Sequence, residues 1–409
     1  MRAWPSVELP RLPRDAGEQS VPMLFNTATG RNEPLTAPPG QPWRMYVCGI
    51  TPYDAAHLGH AMTYVTFDLV QRLVRDCGVS VRYVQNVTDV DDPLLERALI
   101  TGDHWSDLAQ EQIDRFRHDM AALRVLPPDE FIGVVESMEM IAGLVERLRD
   151  SGLAYQVDDD WYFDIDAQSW LGRVSHLAVD QMQVLFAERG GDPARPGKRS
   201  ALDPLLWRAH REGEPQWPAA VGAGRPGWHI GCVAIATSAL GASFDLQGGG
   251  SDLVFPHHDM CSALTHGLDG LPFAKHFAHV GMVALDGEKM SKSKGNLEFV
   301  GALMQQGVDA MAIRLALLDH HYRSDWEWTT QGIQAAQSRW HSWRQGLSRR
   351  LGAPAAAFIE RMRVALYDDL DAPRACQAVD DWLTSAGEDE QAPADMAAAI
   401  DALLGVSDH

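Results

Sequence analysis

Tyr46-Val47-Cys48-Gly49-Ile50-Thr51-Pro52-Tyr53-Asp54-Ala55-Ala56-His57-Leu58-Gly59-His60 decides how the rest of the chain is read. It opens as an apolar, strand-like run from Met45 to Val47 and breaks at Cys48-Gly49. It then enters a periodic segment at His57-Leu58-Gly59-His60. That order spells a strand, a tight loop and the first turn of a helix. A helix start offers unpaired N–H groups and the positive end of a dipole, both of which favour phosphate. Gly59 leaves room for a flat ligand against the backbone, and two imidazoles flank it as donors. Apolar residues at 62, 65, 69, 70, 73 and 74 continue the helical spacing to 77, and Gly78 closes it. Val81 to Val87 reads as the next strand. Residues 45–87 therefore form one strand–helix–strand unit of a doubly wound parallel sheet. Thr88-Asp89-Val90-Asp91-Asp92 follows at its carboxyl end, where such sheets bind ligands.

Outward from this unit the chain changes character several times. Met23-Leu24-Phe25 and Glu33-Pro34-Leu35 flank Thr29-Gly30-Arg31-Asn32, the pattern of a short hairpin. Residues 104–150 alternate helical patterns around a Pro127-Pro128 break. Val157 to Asp166 reads as short strands, and residues 188–199 as a loop dense in Gly, Pro and charge. The sheet is expected to resume near Gly227-Trp228-His229-Ile230, to continue through Phe244-Asp245-Leu246 into Gly248-Gly249-Gly250-Ser251-Asp252, and to add a strand at Val280–Leu285. Beyond residue 300 the periodicity is helical: Ala310 to Leu318, Phe358 to Leu366 and Met396 to Leu404. With 409 residues, two or three domains are expected. The division is 1–124 and 226–300 as the two halves of a Rossmann-type α/β domain, 125–225 as an insertion, and 301–409 as a helical C-terminal domain. Trp326 and Trp328 are expected to pack at the domain junction.

Composition limits the function classes. No apolar run reaches the ~18 residues of a membrane helix, and the N-terminal stretch has no apolar signal core. Five cysteines, at 48, 77, 232, 261 and 376, point to free or metal-bound thiols in a reducing cytoplasm. A net charge of -21 argues against a large nucleic-acid footprint.

A second signal, Lys289-Met290-Ser291-Lys292-Ser293, follows far downstream. HxGH followed by KMSKS in this order resembles the class I aminoacyl-tRNA synthetases. Three further segments narrow the resemblance: Tyr46-Val47-Cys48-Gly49, Gly227-Trp228-His229-Ile230-x-Cys232, and Gly248 to His258 with its Phe255-Pro256-His257-His258 end. They are similar to cysteinyl-tRNA synthetases. Spacing alone leaves Cys48, Cys232 and His257 as three unrelated buried residues. The resemblance implies that they hold one Zn2+ per chain, which binds the thiolate of substrate cysteine. A sulfur-preferring ion that lowers a thiol's pKa separates cysteine from serine better than pocket size does.

The departures point to one branch. Cys261 stands where that family has a Glu ligand; four residues after His257, it reads as a further metal ligand or, in preference, a small buried thiol, while Gln247 replaces a His and Ile50 replaces a Pro. The chain beyond Ser293 suffices for a helical bundle but is short for an added anticodon-binding domain. Glu188-Arg189-Gly190-Gly191-Asp192-Pro193 is also not a synthetase feature. These traits resemble the mycothiol-pathway ligases, a branch that joins L-cysteine to the amine of glucosaminyl-inositol.

That resemblance implies ATP, with Mg2+, as co-substrate, a cysteinyl-adenylate intermediate, no nucleic-acid or membrane partner, and a cytoplasmic monomer. His57, His60, Lys289 and Lys292 are the expected catalytic donors to phosphate. Cys48, Gly49, Ile50, Thr51, Asn86, Val87, Thr88 and Trp228 are expected around the cysteine end of the adenylate. Thr63, Gly250, Ser251, Asp252 and Val283 are expected around its adenosine. No side chain stands out as base for the amine, which leaves the adenylate phosphate as candidate. Arg189 and Asp192 read equally as a salt-bridged turn or as contacts to the sugar. The alternative function is charging of tRNA with cysteine by a truncated synthetase.

Overall fold

The computed structural model describes residues 1–14, 21–53, 57–167, 169–285, 288–289 and 297–408, with 288–289 described in backbone only. Its centre is a five-stranded sheet in the order Ala274–Val280, Phe244–Gly250, Trp43–Val47, Val81–Val87, Glu130–Gly133, and every pairing in it is parallel. Such a sheet is buried on both faces, and successive side chains alternate between them. Trp43, Met45 and Val47 enter one apolar cluster, whereas Tyr46 and Cys48 enter the other. That alternation sends the Cys48 thiol to the face covered by the helices Trp228–Leu240 and Asp259–Asp269.

The expected helix runs over Leu58–Asp76, and His57 is its N-cap. It packs on the opposite face, where its Phe67 ring is so close to Gly248 that a Cβ there would lie 2.4 Å from it. Gly49 is equally constrained, since a Cβ would meet the Asn86 carbonyl oxygen at 1.6 Å. Both sites require glycine for close approach rather than for backbone freedom.

The expected hairpin is present, Met23–Asn26 pairing antiparallel with Arg31–Pro34. Other elements differ from the sequence reading. Glu130–Gly133 belongs to the parallel sheet, although it lies beyond residue 124, where the insertion was expected to begin. Residues 228–230 do not resume the sheet but open the helix Trp228–Leu240, capped by Gly227, so Cys232 sits on a helix rather than at a strand end. Ala274–Val280 is the sheet's edge strand, and Val283–Leu285 leaves it to pair with Glu288–Lys289 and Trp326–Glu327. The insertion's own sheet has four antiparallel strands, Ala154–Val157, Asp160–Phe163, Leu205–Ala209 and Gly224–Pro226.

Six helices follow, from Val300–Gln305 to Ala392–Leu404, and their buried residues merge with the apolar cluster on the Leu58–Asp76 face. Trp328 is buried in it, and Trp326 stacks on His320 at 3.8 Å, which is packing as expected. An ion cluster fastens this junction. Asp68 accepts from Arg72 Nε at 2.7 Å, from Arg314 Nη2 and from the Leu126 N–H, with all three side chains fully buried. The two guanidiniums also donate to the carbonyls of Arg124, Asp401, Leu123 and Leu404.

Candidate active site and metal centre

At the carboxyl ends of the central strands lies a cavity of about 460 Å³. The strand–loop–helix turn supplies one wall. Cys48 to Thr51, His57, Gly59, His60 and Thr63 all line it. The turn is held from several sides. Tyr64 OH donates to the Cys48 carbonyl at 3.0 Å, and Thr88 N–H donates to the Ile50 carbonyl at 2.9 Å. Asn86 Oδ1 accepts from Gly49 N–H and from Tyr46 OH, both at 2.8 Å. The Asn86 side chain therefore fixes the turn as well as lining the cavity.

His57 Nδ1 accepts from Gly59 N–H at 3.1 Å and caps the helix, while its ring stacks on that of His60 at 3.9 Å. Leu58 N–H donates to the Glu298 carbonyl at 2.9 Å, and His57 forms a bridge with Phe299. The chain downstream of the lysine motif thus returns to the helix start. Lys289 lies opposite Ala284 in a strand pair whose Val283 lines the cavity. Lys292 lies outside the described residues. On the remaining side Thr88, Trp228, Gly250 and Asp252 line the cavity. Val87 and Ser251 do not. Val87 is core, and its carbonyl accepts from Val134 N–H.

Cys48, Cys232 and His257 converge at the cavity floor. Their ligand atoms all lie within 4.8 Å of one another, and all three side chains are buried. They come from three elements: the loop after Trp43–Val47, the helix Trp228–Leu240, and the turn before Asp259–Asp269. His257 Nδ1 lies 2.9 Å from His229 Nδ1, so only one of the two nitrogens carries a proton, and the pair orients the His257 ring. Cys261 Sγ lies 3.9 Å from His257 Nε2 and forms a second group with His229 and His257 rather than joining the two thiols. Burial and the neighbouring Cys232 push the Cys48 thiol well above the usual range. Hydrogen bonding from Cys48, against burial, pulls Cys232 well below it. Two sulfurs and one imidazole suit a tetrahedral ion of zinc's type with one position left for a substrate.

Sequence reasoning missed the support behind Cys48. Gln247 Nε2 and His258 Nε2 lie 3.2 and 3.3 Å from its sulfur. His258 Nδ1 bonds His279 Nε2 at 2.7 Å, and His279 Nδ1 bonds Thr27 Oγ1 at 2.7 Å. Burial lowers His279 to about 3, so the chain is of neutral imidazoles. The His257-His258 doublet and Gln247 in place of a His were its signals in the sequence. Arg189 was open between two roles. Its guanidinium donates to the Asp252 carbonyl at 2.5 Å and to that of Phe255, and so anchors the turn between Gly250 and His257. Asp192 accepts from Tyr162 OH at 2.5 Å and from Lys198 at 2.8 Å.

With this geometry in place, comparison with known proteins is decisive for the family. Residues 39–338 match the model of the tRNA synthetases class I (C) catalytic domain. The chain belongs to that family. Among its relatives, the L-cysteine:1D-myo-inositol 2-amino-2-deoxy-alpha-D-glucopyranoside ligase of Streptomyces coelicolor is 56% identical, over 100% of both chains. The protein of the same name from Thermobifida fusca is 54% identical, over 100% of this chain and 99% of its own. Among solved structures, methionyl-tRNA synthetase of Mycobacterium tuberculosis with methionyl-adenylate has a TM-score of 0.61 at 16% identity and covers 89% of both chains. The ternary complex of a leucyl-tRNA synthetase from Agrobacterium radiobacter gives 0.65 at 12% identity, covering 91% of this chain and 84% of its own. These structural likenesses establish the class I synthetase fold. No described helix of this family member is long and apolar enough to cross a membrane.

Proposed function

We propose that the chain joins L-cysteine to the amine of glucosaminyl-inositol with ATP, through cysteinyl-adenylate, releasing pyrophosphate and AMP. One observation carries this reading: the Cys48–Cys232–His257 donor set opens into the same cavity as His57 and His60. The names of full-length relatives supply the acceptor. Zn2+ is the ion we assign to the donor set, and when bound it supplies a ligand position selective for the substrate thiolate.

The remaining roles belong to side chains. Trp228, stacked on His257 at 4.5 Å, and Thr51 flank the amino acid. Gly250, Asp252, Thr63 and Val283 receive the adenosine. A cysteine carboxylate oxygen attacks the α-phosphorus and the bond to pyrophosphate breaks. His57 and His60, with Lys289 and Lys292, donate to the phosphate oxygens as their charge grows. The neutral amine then attacks the acyl carbon, the bond to AMP breaks, and the amine's proton leaves through the adenylate phosphate. Mg2+ accompanies ATP. The monomeric state and the cytoplasmic location go with this reading.

Charging of tRNA is the competing reading. The groove that leads to the cavity is lined by eight carboxylates and three arginines among the described residues, a poor surface for a phosphate backbone. Cysteine-dependent AMP release, measured with glucosaminyl-inositol and separately with tRNA, decides between them. Stimulation by the aminosugar alone is expected, and stimulation by tRNA alone would replace the proposal.

A further inference from the structure

The groove encloses about 1400 Å³ and meets the adenylate cavity at Thr51, Tyr53, Trp228, Asp252 and Leu253. Away from that junction, Asp92, Arg208, Glu214 and Arg225 line the groove but not the cavity. They form one chain of alternating charge. Arg208 donates to both Asp92 oxygens, at 3.2 and 3.0 Å. Arg225 Nη2 donates to Asp92 Oδ1, and Arg225 Nε donates to Glu214 Oε2 at 2.8 Å. Arg225 is buried, whereas Asp92, Arg208 and Glu214 are 43%, 31% and 29% exposed. The chain joins two parts of the molecule. Asp92 opens the helix Asp92–Thr101, which follows the central strand Val81–Val87, and both arginines stand on strands of the insertion.

The pairs of Arg225 offset the cost of burying its charge. The Arg208–Asp92 pair, however, is partly exposed on both sides, and such pairs add little stability, so stability alone is a weak reason for a second arginine on Asp92 at a groove wall. Recognition is a better one. A polyol hydroxyl both donates and accepts, so a run of hydroxyls needs acceptors and donors in fixed alternation. Each guanidinium here locks its neighbouring carboxylate in place and leaves part of that carboxylate's accepting capacity to the groove. The excess of carboxylates around it suits an amine-bearing ligand and repels phosphate.

We propose that this wall binds the hydroxyl-rich, non-reacting half of the acceptor. Asp92 and Glu214 accept from its hydroxyls and Arg208 donates to them, which leaves the amine at the Thr51–Trp228 junction beside the activated carbonyl. The assignment rests on the function proposed above. Arg208→Gln and Asp92→Asn test it through two separate readouts, cysteine-dependent ATP–pyrophosphate exchange and steady-state kinetics with glucosaminyl-inositol or with glucosamine alone. Exchange should stay within ~2-fold of the parent, because adenylation precedes the acceptor. KM for glucosaminyl-inositol should rise ~10-fold or more, as when a site loses a hydrogen-bonding partner for a substrate hydroxyl. KM for glucosamine, which lacks the inositol ring, should not move. An unchanged KM for glucosaminyl-inositol overturns the assignment, and so does an equal rise for both acceptors, the mark of a purely structural tie. If Asp92→Asn loses exchange through misfolding, Arg208→Gln decides alone, since its side chain is partly exposed and Arg225 stays paired. Absence of exchange in the unaltered enzyme would count against the ligase reading instead.

Discussion

Asp68→Asn removes the carboxylate that two buried guanidiniums share, and leaves Arg72 only the more distant Asp401, at 3.9 Å. Burial alone would raise the Asp68 carboxyl, but Arg72 and Arg314 overcome it and hold the group below the usual carboxylate range. Burial lowers Arg314 to about 10, so it stays charged near neutrality. Four carbonyls, including those of Leu123, Asp401 and Leu404 at helix ends, offset part of that charge. The asparagine keeps an acceptor for Leu126 N–H, so the loss is electrostatic rather than steric. Breaking a buried pair by removing one partner costs about 3–5 kcal/mol. Spread over the unfolding entropy of a chain this long, that is a Tm lowered by roughly 3–6 °C. The pH dependence follows from the sign of the shift. A depressed carboxyl contributes stability above its unfolded pKa of about 3.9 and loses it as pH falls through the folded value. The gap between variant and parent should therefore be full at pH 7 and shrink toward pH 3. Urea unfolding at pH 7, with calorimetry across pH, measures both. A loss below ~1 kcal/mol at neutral pH, or a gap that widens in acid, would refute the argument.

Cys232→Ser should lower bound zinc, read by metal analysis, and erode the preference for cysteine over serine in ATP–pyrophosphate exchange. Cys261→Ser should leave zinc content unchanged, since its sulfur stands apart from the two thiols. His60→Ala should slow exchange ~100-fold or more, the typical loss of one donor to developing charge, with little change in zinc content. Gly49→Ala should abolish exchange, because its Cβ overlaps the Asn86 carbonyl. Burial raises Asp119 to about 7 despite a bond from Gly301 N–H. The folded state thus keeps a proton that the unfolded chain has already lost, and stability falls as pH rises from about 4 to 7. Asp119→Asn should raise Tm most at pH 8, less at pH 5, and leave it nearly unchanged below pH 4.

What the sequence disclosed follows from range. The stretch 45–87 was legible because its strands are rich in Val and Tyr, its helix has a 3.6 period, and both breaks carry glycine. The helix Trp228–Leu240 was mistaken for sheet because it is apolar all round, so no amphipathic period distinguishes it from a buried strand. Ala274–Val280 was missed because Lys275, His276 and His279 dilute its apolar run, although both histidines are buried. Glu130–Gly133 is four residues long and follows two prolines, too little pattern to register. The donor set is a different case. Nothing local tells Cys232 from Cys376, which lies in the core of the C-terminal helices. Only folding brings Cys48, Cys232 and His257 together, and likeness to a family had to stand in for that information.

The helix Leu58–Asp76 links these observations mechanically. Its first turn presents His57 and His60 to the cavity, and its middle carries Asp68 and Arg72 into the cluster with the C-terminal helices. The eight residues from His60 to Asp68 rise about 12 Å in a helix, so the groups assigned to phosphate and the fastening of the C-terminal region belong to one rigid segment. The acceptor groove lies elsewhere, walled by Asp92 and by strands of the insertion. An enzyme built this way can change its acceptor by altering the insertion wall while the parts that bind ATP and the amino acid stay fixed. On that logic the C-terminal helices of this chain act as a brace for the adenylation helix, and weakening Asp68 should alter stability without altering cysteine selectivity.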